Sequence, residues 1–208
     1  VTAAFKPFDV GQRFRVVPPG SDRGDETRIH LIMKRGAFGS GEHETTASCL
    51  DLLATLPEVR GSQVLDLGCG TGILAIAAVK LGAEAVLCVD IDPAAVESSS
   101  VNCALNGVPD QVTHLCGTMD QVTTGGFDLI LANIYKDVLM DVAEVLVSKT
   151  RPGGALLLSG IVHEDNFDVC RRYRELGCTV VTNRRLSEFT TVLLQREGSA
   201  EALSEQLP

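Results

Sequence analysis

The run Val64-Leu65-Asp66-Leu67-Gly68-Cys69-Gly70-Thr71-Gly72-Ile73-Leu74-Ala75-Ile76-Ala77-Ala78 reads as a short buried strand, a tight turn and the start of an apolar helix. Glycines at such a turn allow unusual dihedrals and let a ligand approach the backbone, while the free N–H groups and positive end of the helix attract an anion. A dinucleotide fingerprint is GxGxxG; here the pattern is DxGxGxG, led by Asp66, with Ile73 where the last glycine of the fingerprint would stand. That spacing argues against a nicotinamide cofactor. The Asp66 charge would repel a pyrophosphate and suits a ligand carrying an ammonium group. S-adenosylmethionine has that mixture of charges, with Gly68, Gly70 and Gly72 shaping its seat.

Outward from this run, short β-branched or Leu-rich stretches alternate with longer helical patterns, the signature of repeated βα units. Strands are expected at 64–67, 85–90, 112–116, 128–132, 155–159, 178–182 and 190–195, and helices over about 43–56, 72–81, 93–106, 134–150 and 163–176. Gly82, Gly107 and Gly177 stand where helix-ending glycines belong, and Gly153-Gly154 reads as a turn at a strand entry. The last two strands lack a helical crossover, so the final one should return antiparallel. The fold class is therefore α/β: a doubly wound, seven-stranded, mostly parallel sheet with a reversed last strand. Ahead of it, apolar stretches 14–17 and 29–33 flank a Pro/Gly-rich, charged loop, as two strands would. The expected organisation is N-terminal strands and linker over 1–35, the main domain over 36–197 and a disordered tail over 198–208.

The chain has 208 residues, 45% of them hydrophobic and 22% charged, which suits one globular domain with a substantial core. Eighteen basic against 27 acidic side chains leave a net charge of −9, so a nucleic-acid partner is not expected. Seven cysteines, with no CxxC pair and several inside apolar runs, suit a reducing cytoplasm. Neither a leader nor a membrane-spanning stretch is indicated, and no metal site is expected.

The second strand ends in Val89-Asp90-Ile91-Asp92-Pro93, where a carboxylate is placed to accept both ribose hydroxyl protons. Asp90 takes that role with Ile91 beside it, and Asp92 reads as a helix N-cap ahead of Pro93. A hydroxyl from Thr45 or Thr46, at the start of the 43–56 helix, could bind a carboxylate or simply assist that helix start. Asn133, closing a strand and followed by Ile and Tyr, belongs at the cleft rather than in a turn. Thr118, after the third strand, should border the adenine. Gly36, Gly39 and Gly41 suggest a flexible flap.

Upstream stands Gly36-Ala37-Phe38-Gly39-Ser40-Gly41-Glu42-His43-Glu44-Thr45-Thr46, and downstream Leu131-Ala132-Asn133-Ile134 and Leu158-Ser159-Gly160-Ile161. With the glycine turn and the Val89–Pro93 run, this ensemble resembles the catalytic domain of the ribosomal protein L11 methyltransferase (PrmA-type) family over roughly residues 5–195. The resemblance implies a class I S-adenosylmethionine-dependent methyltransferase, with cofactor contacts at Thr46, Gly68, Asp90 and Asn133 and with Phe38, His43 and Thr45 on the same motif. It implies a protein substrate, methylated on lysine or N-terminal amino groups of a ribosomal protein. Another protein or small-molecule acceptor, or a non-catalytic cofactor-binding module, is the alternative. Asn133 and His43 are the catalytic candidates, although a lone His is more often an ordinary exposed side chain. Family members carry a substrate-recognition domain ahead of this region, whereas this chain begins just before the catalytic portion. Ser187-Glu188-Phe189 also replaces a more usual Glu-Trp.

Overall fold

The computed structural model describes residues 5–22, 24–34 and 43–198. Its centre is β4 (Gln63–Leu67), buried from Val64 onward and paired in parallel with β5 (Ala85–Asp90) on one side and β7 (Phe127–Asn133) on the other. β6 (Val112–Cys116) extends the sheet beyond β5, and β8 (Thr150–Val162) extends it beyond β7. β10 (Phe189–Arg196) lies antiparallel between β8 and the edge strand β9 (Cys178–Arg185), giving the order β6-β5-β4-β7-β8-β10-β9. This is the seven-stranded doubly wound sheet with a reversed last strand that the sequence predicts.

Helices cover both faces. α1 (His43–Leu53), α2 (Ile73–Lys80) and α3 (Pro93–Leu105) close one core, in which Leu50, Ile76 and Leu129 are fully buried. α4 (Lys136–Asp141), α5 (Ala143–Lys149) and α6 (Asn166–Glu175) close the other, around Leu65, Leu139 and Tyr173. The single helix expected over 134–150 is bent at Val142 (φ −94°, ψ 3°), and the bend leaves Leu139, Ala143 and Leu146 buried beneath the sheet. The turn expected at Gly153-Gly154 is instead part of β8. Gly153 (φ +74°) sits where the β7–β8 register shifts, so the Pro-Gly-Gly run is absorbed as an irregularity within the strand.

A second, three-stranded sheet precedes this framework. β1 (Phe8–Val10), which the sequence reading lacks, pairs antiparallel with β2 (Phe14–Val17), and β2 pairs in parallel with β3 (Ile29–Ile32). Phe14, Leu31 and Met33 are fully buried in the α1–α3 core. Among the described residues, no helix is long and apolar enough to cross a membrane.

Candidate cofactor and active site

The strand order reverses at β4, since β5 and β6 extend one way and β7 and β8 the other, and ligands of open α/β sheets bind outside the strand ends at such a point. A cleft of about 630 Å³ lies there, lined by Gly68 and Gly70 after β4, Asp90 and Ile91 from β5, Thr118 after β6 and Asn133 closing β7.

The glycine turn is held by its neighbour strand, because the Gly68 and Cys69 N–H groups both donate to the Val89 carbonyl at 2.8 and 3.2 Å. Gly72 caps α2 in the left-handed region (φ +78°) with no side-chain cap of its own, which leaves the amides ahead of Ala75 without a capping side chain from that position. Asp66 reaches back to accept from the Ala75 N–H; the carboxyl is 1% exposed and its Oδ2 has no hydrogen-bond partner. Burial, and then the nearby Asp90 charge, raise its pKa to about 7 against the pull of that hydrogen bond. Asp90 is oriented by two amides, Gly70 N–H on Oδ2 and Asp92 N–H on Oδ1, each at 3.0 Å. Asp92 accepts from the Ala94 N–H at 2.9 Å and is the N-cap of α3.

At the end of β7, the Asn133 side chain donates from Nδ2 to Thr46 Oγ1 at 3.2 Å, which fixes the amide plane against α1. The chain then passes between two glycines. An added Cβ at Gly68 would lie 2.3 Å from Ile134 Cγ2, and one at Gly160 (φ +83°) 2.6 Å from the Ile134 carbonyl oxygen. The absence of side chains at both positions lets residues 133–135 close the cleft floor.

Glu44, in the first turn of α1, accepts the N–H groups of Ser187, Glu188 and Phe189 at 3.0–3.3 Å. These bonds, the Glu188 N–H first, hold its pKa below the ordinary carboxylate value. They also bring Glu188 and Phe189 to the rim, facing Tyr135, Val138 and Val142 on the α4 side.

Of the predicted site residues, Thr45, Gly68, Gly70, Asp90, Ile91, Thr118 and Asn133 line the cleft. Thr46 stands behind Asn133 as its acceptor, and Asp66 lies beneath the turn. Gly72 faces α3 instead: an added Cβ there would lie 2.3 Å from Ser99 Oγ, so its bareness serves helix packing. Phe38, and the flap read from Gly36, Gly39 and Gly41, lie outside the described residues, as does the side chain of His43. The rim residues Tyr135, Val138, Glu188 and Phe189 are not among the site residues the sequence predicts. The spacing of Tyr135, Val138 and Val142 along one helix face was a usable signal. Nothing local joins Glu188 to Glu44, some 144 residues away.

This strand order, reversed final strand and cleft at the β4 switch point are those of the class I methyltransferases. An RNA methyltransferase from Salinibacter ruber, solved with S-adenosyl-L-homocysteine, shares the fold at TM-score 0.60 and 18% identity over 77% of this chain and 94% of its own. The chain belongs to the ribosomal protein L11 methyltransferase (PrmA) family, whose profile matches residues 1–197. The ribosomal protein L11 methylase of Lactobacillus delbrueckii subsp. bulgaricus superposes at TM-score 0.84 with 28% identity, covering 93% of this chain and all of the other. The ribosomal protein L11 methyltransferase of Trichlorobacter lovleyi is 46% identical over 169 residues, 78% of this chain and 55% of that protein. The chain thus spans little more than half the length of the curated relatives it matches.

Proposed function

We propose that the protein transfers a methyl group from S-adenosylmethionine to an amino nitrogen of a protein, with ribosomal protein L11 as the acceptor. The observation that carries this reading is the pairing of Asp90, its oxygens aimed by two backbone amides, with an open glycine turn and a buried acid beneath it. These groups fit the donor's three polar parts. Asp90 would take the ribose hydroxyls, the turn and the uncapped start of α2 the carboxylate, and Asp66 the neighbourhood of the ammonium. Ile91 and Met119 offer apolar surface for the adenine. When bound, the donor supplies a methyl group already activated by its sulfonium.

The chain's own task is then positioning. The acceptor amine must be neutral, and an ordinary lysine (pKa ~10.4) loses its proton more readily in an apolar cleft beside a positive charge. Asn133, with one amide N–H committed to Thr46, presents its carbonyl oxygen as the acceptor that orients the remaining N–H of the incoming amine. Tyr135 and Val138 give the amine's alkyl stem an apolar wall. Seven free thiols, six of them buried, are consistent with work in a reducing cytoplasm.

The test is incubation of the protein with methyl-labelled S-adenosylmethionine and recombinant ribosomal protein L11. Label on lysine or N-terminal nitrogen of L11 is the expected result. Cofactor binding with no label on L11 would overturn the acceptor assignment.

A further inference from the structure

Asn102 of α3 and Asn106 at the C-cap of that helix, one helical turn apart, dock the open edge of β3. Asn106 is bidentate to one residue, accepting from the Ile32 N–H at 2.9 Å and donating to the Ile32 carbonyl at 2.7 Å. Its amide thus replaces a neighbouring strand. Asn102 takes the next rung, accepting from the Lys34 N–H at 3.0 Å. The spacing fits because four helical residues advance about 6 Å and two strand residues about 6.6 Å.

Asn102 departs from its partner in where its amide nitrogen goes. Instead of returning to β3, Nδ2 donates to the carbonyl of Thr71 at 2.9 Å, in the glycine turn between Gly70 and Gly72. The side chain is completely buried, so no water competes for either bond. One residue earlier in the same turn, the Gly70 N–H holds the Asp90 carboxylate. A single rigid amide therefore bridges the turn and the backbone leaving β3, two segments far apart in sequence.

We propose that Asn102 is a positioning residue that couples the cofactor turn to the exit of the N-terminal sheet, so that each site orders the other. The inference rests on the cofactor assignment above. Seating a ligand on the turn fixes the Thr71 carbonyl, which fixes the Asn102 amide and strengthens its hold on Lys34. By linkage, order at Lys34 raises affinity at the turn by the same factor.

Asn102→Asp isolates the bridge. An aspartate, assayed at a pH high enough to ionise a buried carboxyl, keeps an acceptor for the Lys34 N–H but has no proton to donate to Thr71. S-adenosylhomocysteine affinity, measured by calorimetry, should fall about tenfold to a hundredfold, the range for stranding a buried carbonyl. Asn106→Ala, which loosens β3 without touching the turn, should change it less than threefold. An equal loss in both variants would mean general loosening and overturn the proposal. Hydrogen exchange supplies a readout that packing alone would not move. In the wild-type protein the Lys34 amide should exchange at least severalfold more slowly when S-adenosylhomocysteine binds, and in Asn102→Asp that response should vanish. Wild-type binding with unchanged exchange at Lys34 overturns the coupling whether or not the variants fold. No binding by the wild-type protein overturns the cofactor assignment and the coupling with it.

Discussion

Asp66 combines near-complete burial, an oxygen with no partner and a carboxyl pKa raised to about 7 from an ordinary 3.8. Between those values the folded chain keeps a proton that the unfolded chain has released, so this group makes stability fall as pH rises from about 4 to about 7. Asp66→Asn removes the titration. In thermal unfolding across pH 4 to 8, the variant should gain on the wild type through that window and hold a constant lead above it; parallel curves would contradict the raised carboxyl. Asp90 and Asn133 divide affinity from turnover. Asp90→Ala should weaken cofactor binding about tenfold or more, since hydrogen bonds to a charged group contribute about 1.5–3 kcal/mol each. Asn133→Ala should lower turnover far more than affinity, and comparable losses of both in either variant would argue against the division. Both residues were legible in the sequence because each closes a strand, where side chains face the cleft. For Thr46 the resemblance implies a cofactor contact and the residues leave a helix-start role open; the structure makes its hydroxyl the acceptor of the Asn133 amide, a relation that a contact between α1 and β7 creates and no local pattern announces.

Elements were legible where one period dominated the run. β5 and β6 match their predicted limits, and α2 and α3 fall within theirs, because apolar strands and capped helices announce their own ends. β8 runs longer than its apolar centre predicts, since β10 pairs with it as far as Val162 and β7 rejoins it at Thr150, beyond the irregular Pro152-Gly153-Gly154 run. Close packing at the cleft floor gives a graded test. Gly107 and Gly160 both have positive φ (69° and 83°), but an added Cβ at Gly107 meets nothing within 4 Å, whereas at Gly160 it meets the Ile134 backbone. Gly107→Ala should cost about 1–2 kcal/mol from its left-handed conformation alone. Gly160→Ala should cost at least about 1 kcal/mol more from overpacking, read as a lower urea midpoint at similar slope. Equal midpoints would show that the floor yields without strain.

Two cores share one sheet, and the cleft opens where β4, β5 and β7 end together. That architecture followed from the βα alternation and from the missing crossover before the last strand. The N-terminal sheet was only half legible: its apolar stretches were plain, but the parallel pairing of β2 with β3 carries no local signal, and β3 is docked by Asn102 and Asn106, distant polar side chains that no hydrophobic period reveals. Because the cleft joins both halves of the sheet, a bound ligand should stabilise the fold as a unit. At a hundredfold excess over Kd, S-adenosylhomocysteine should add about 2.7 kcal/mol and raise Tm by roughly 5–10 °C in a single transition. The most direct test of the central assignment is a crystal structure grown with S-adenosylhomocysteine. The account predicts the ribose on Asp90, the amino-acid end at the Gly68–Gly72 turn above Asp66, and the sulfur facing Asn133. Density for the ligand elsewhere, or a ribose that does not touch Asp90, would contradict it.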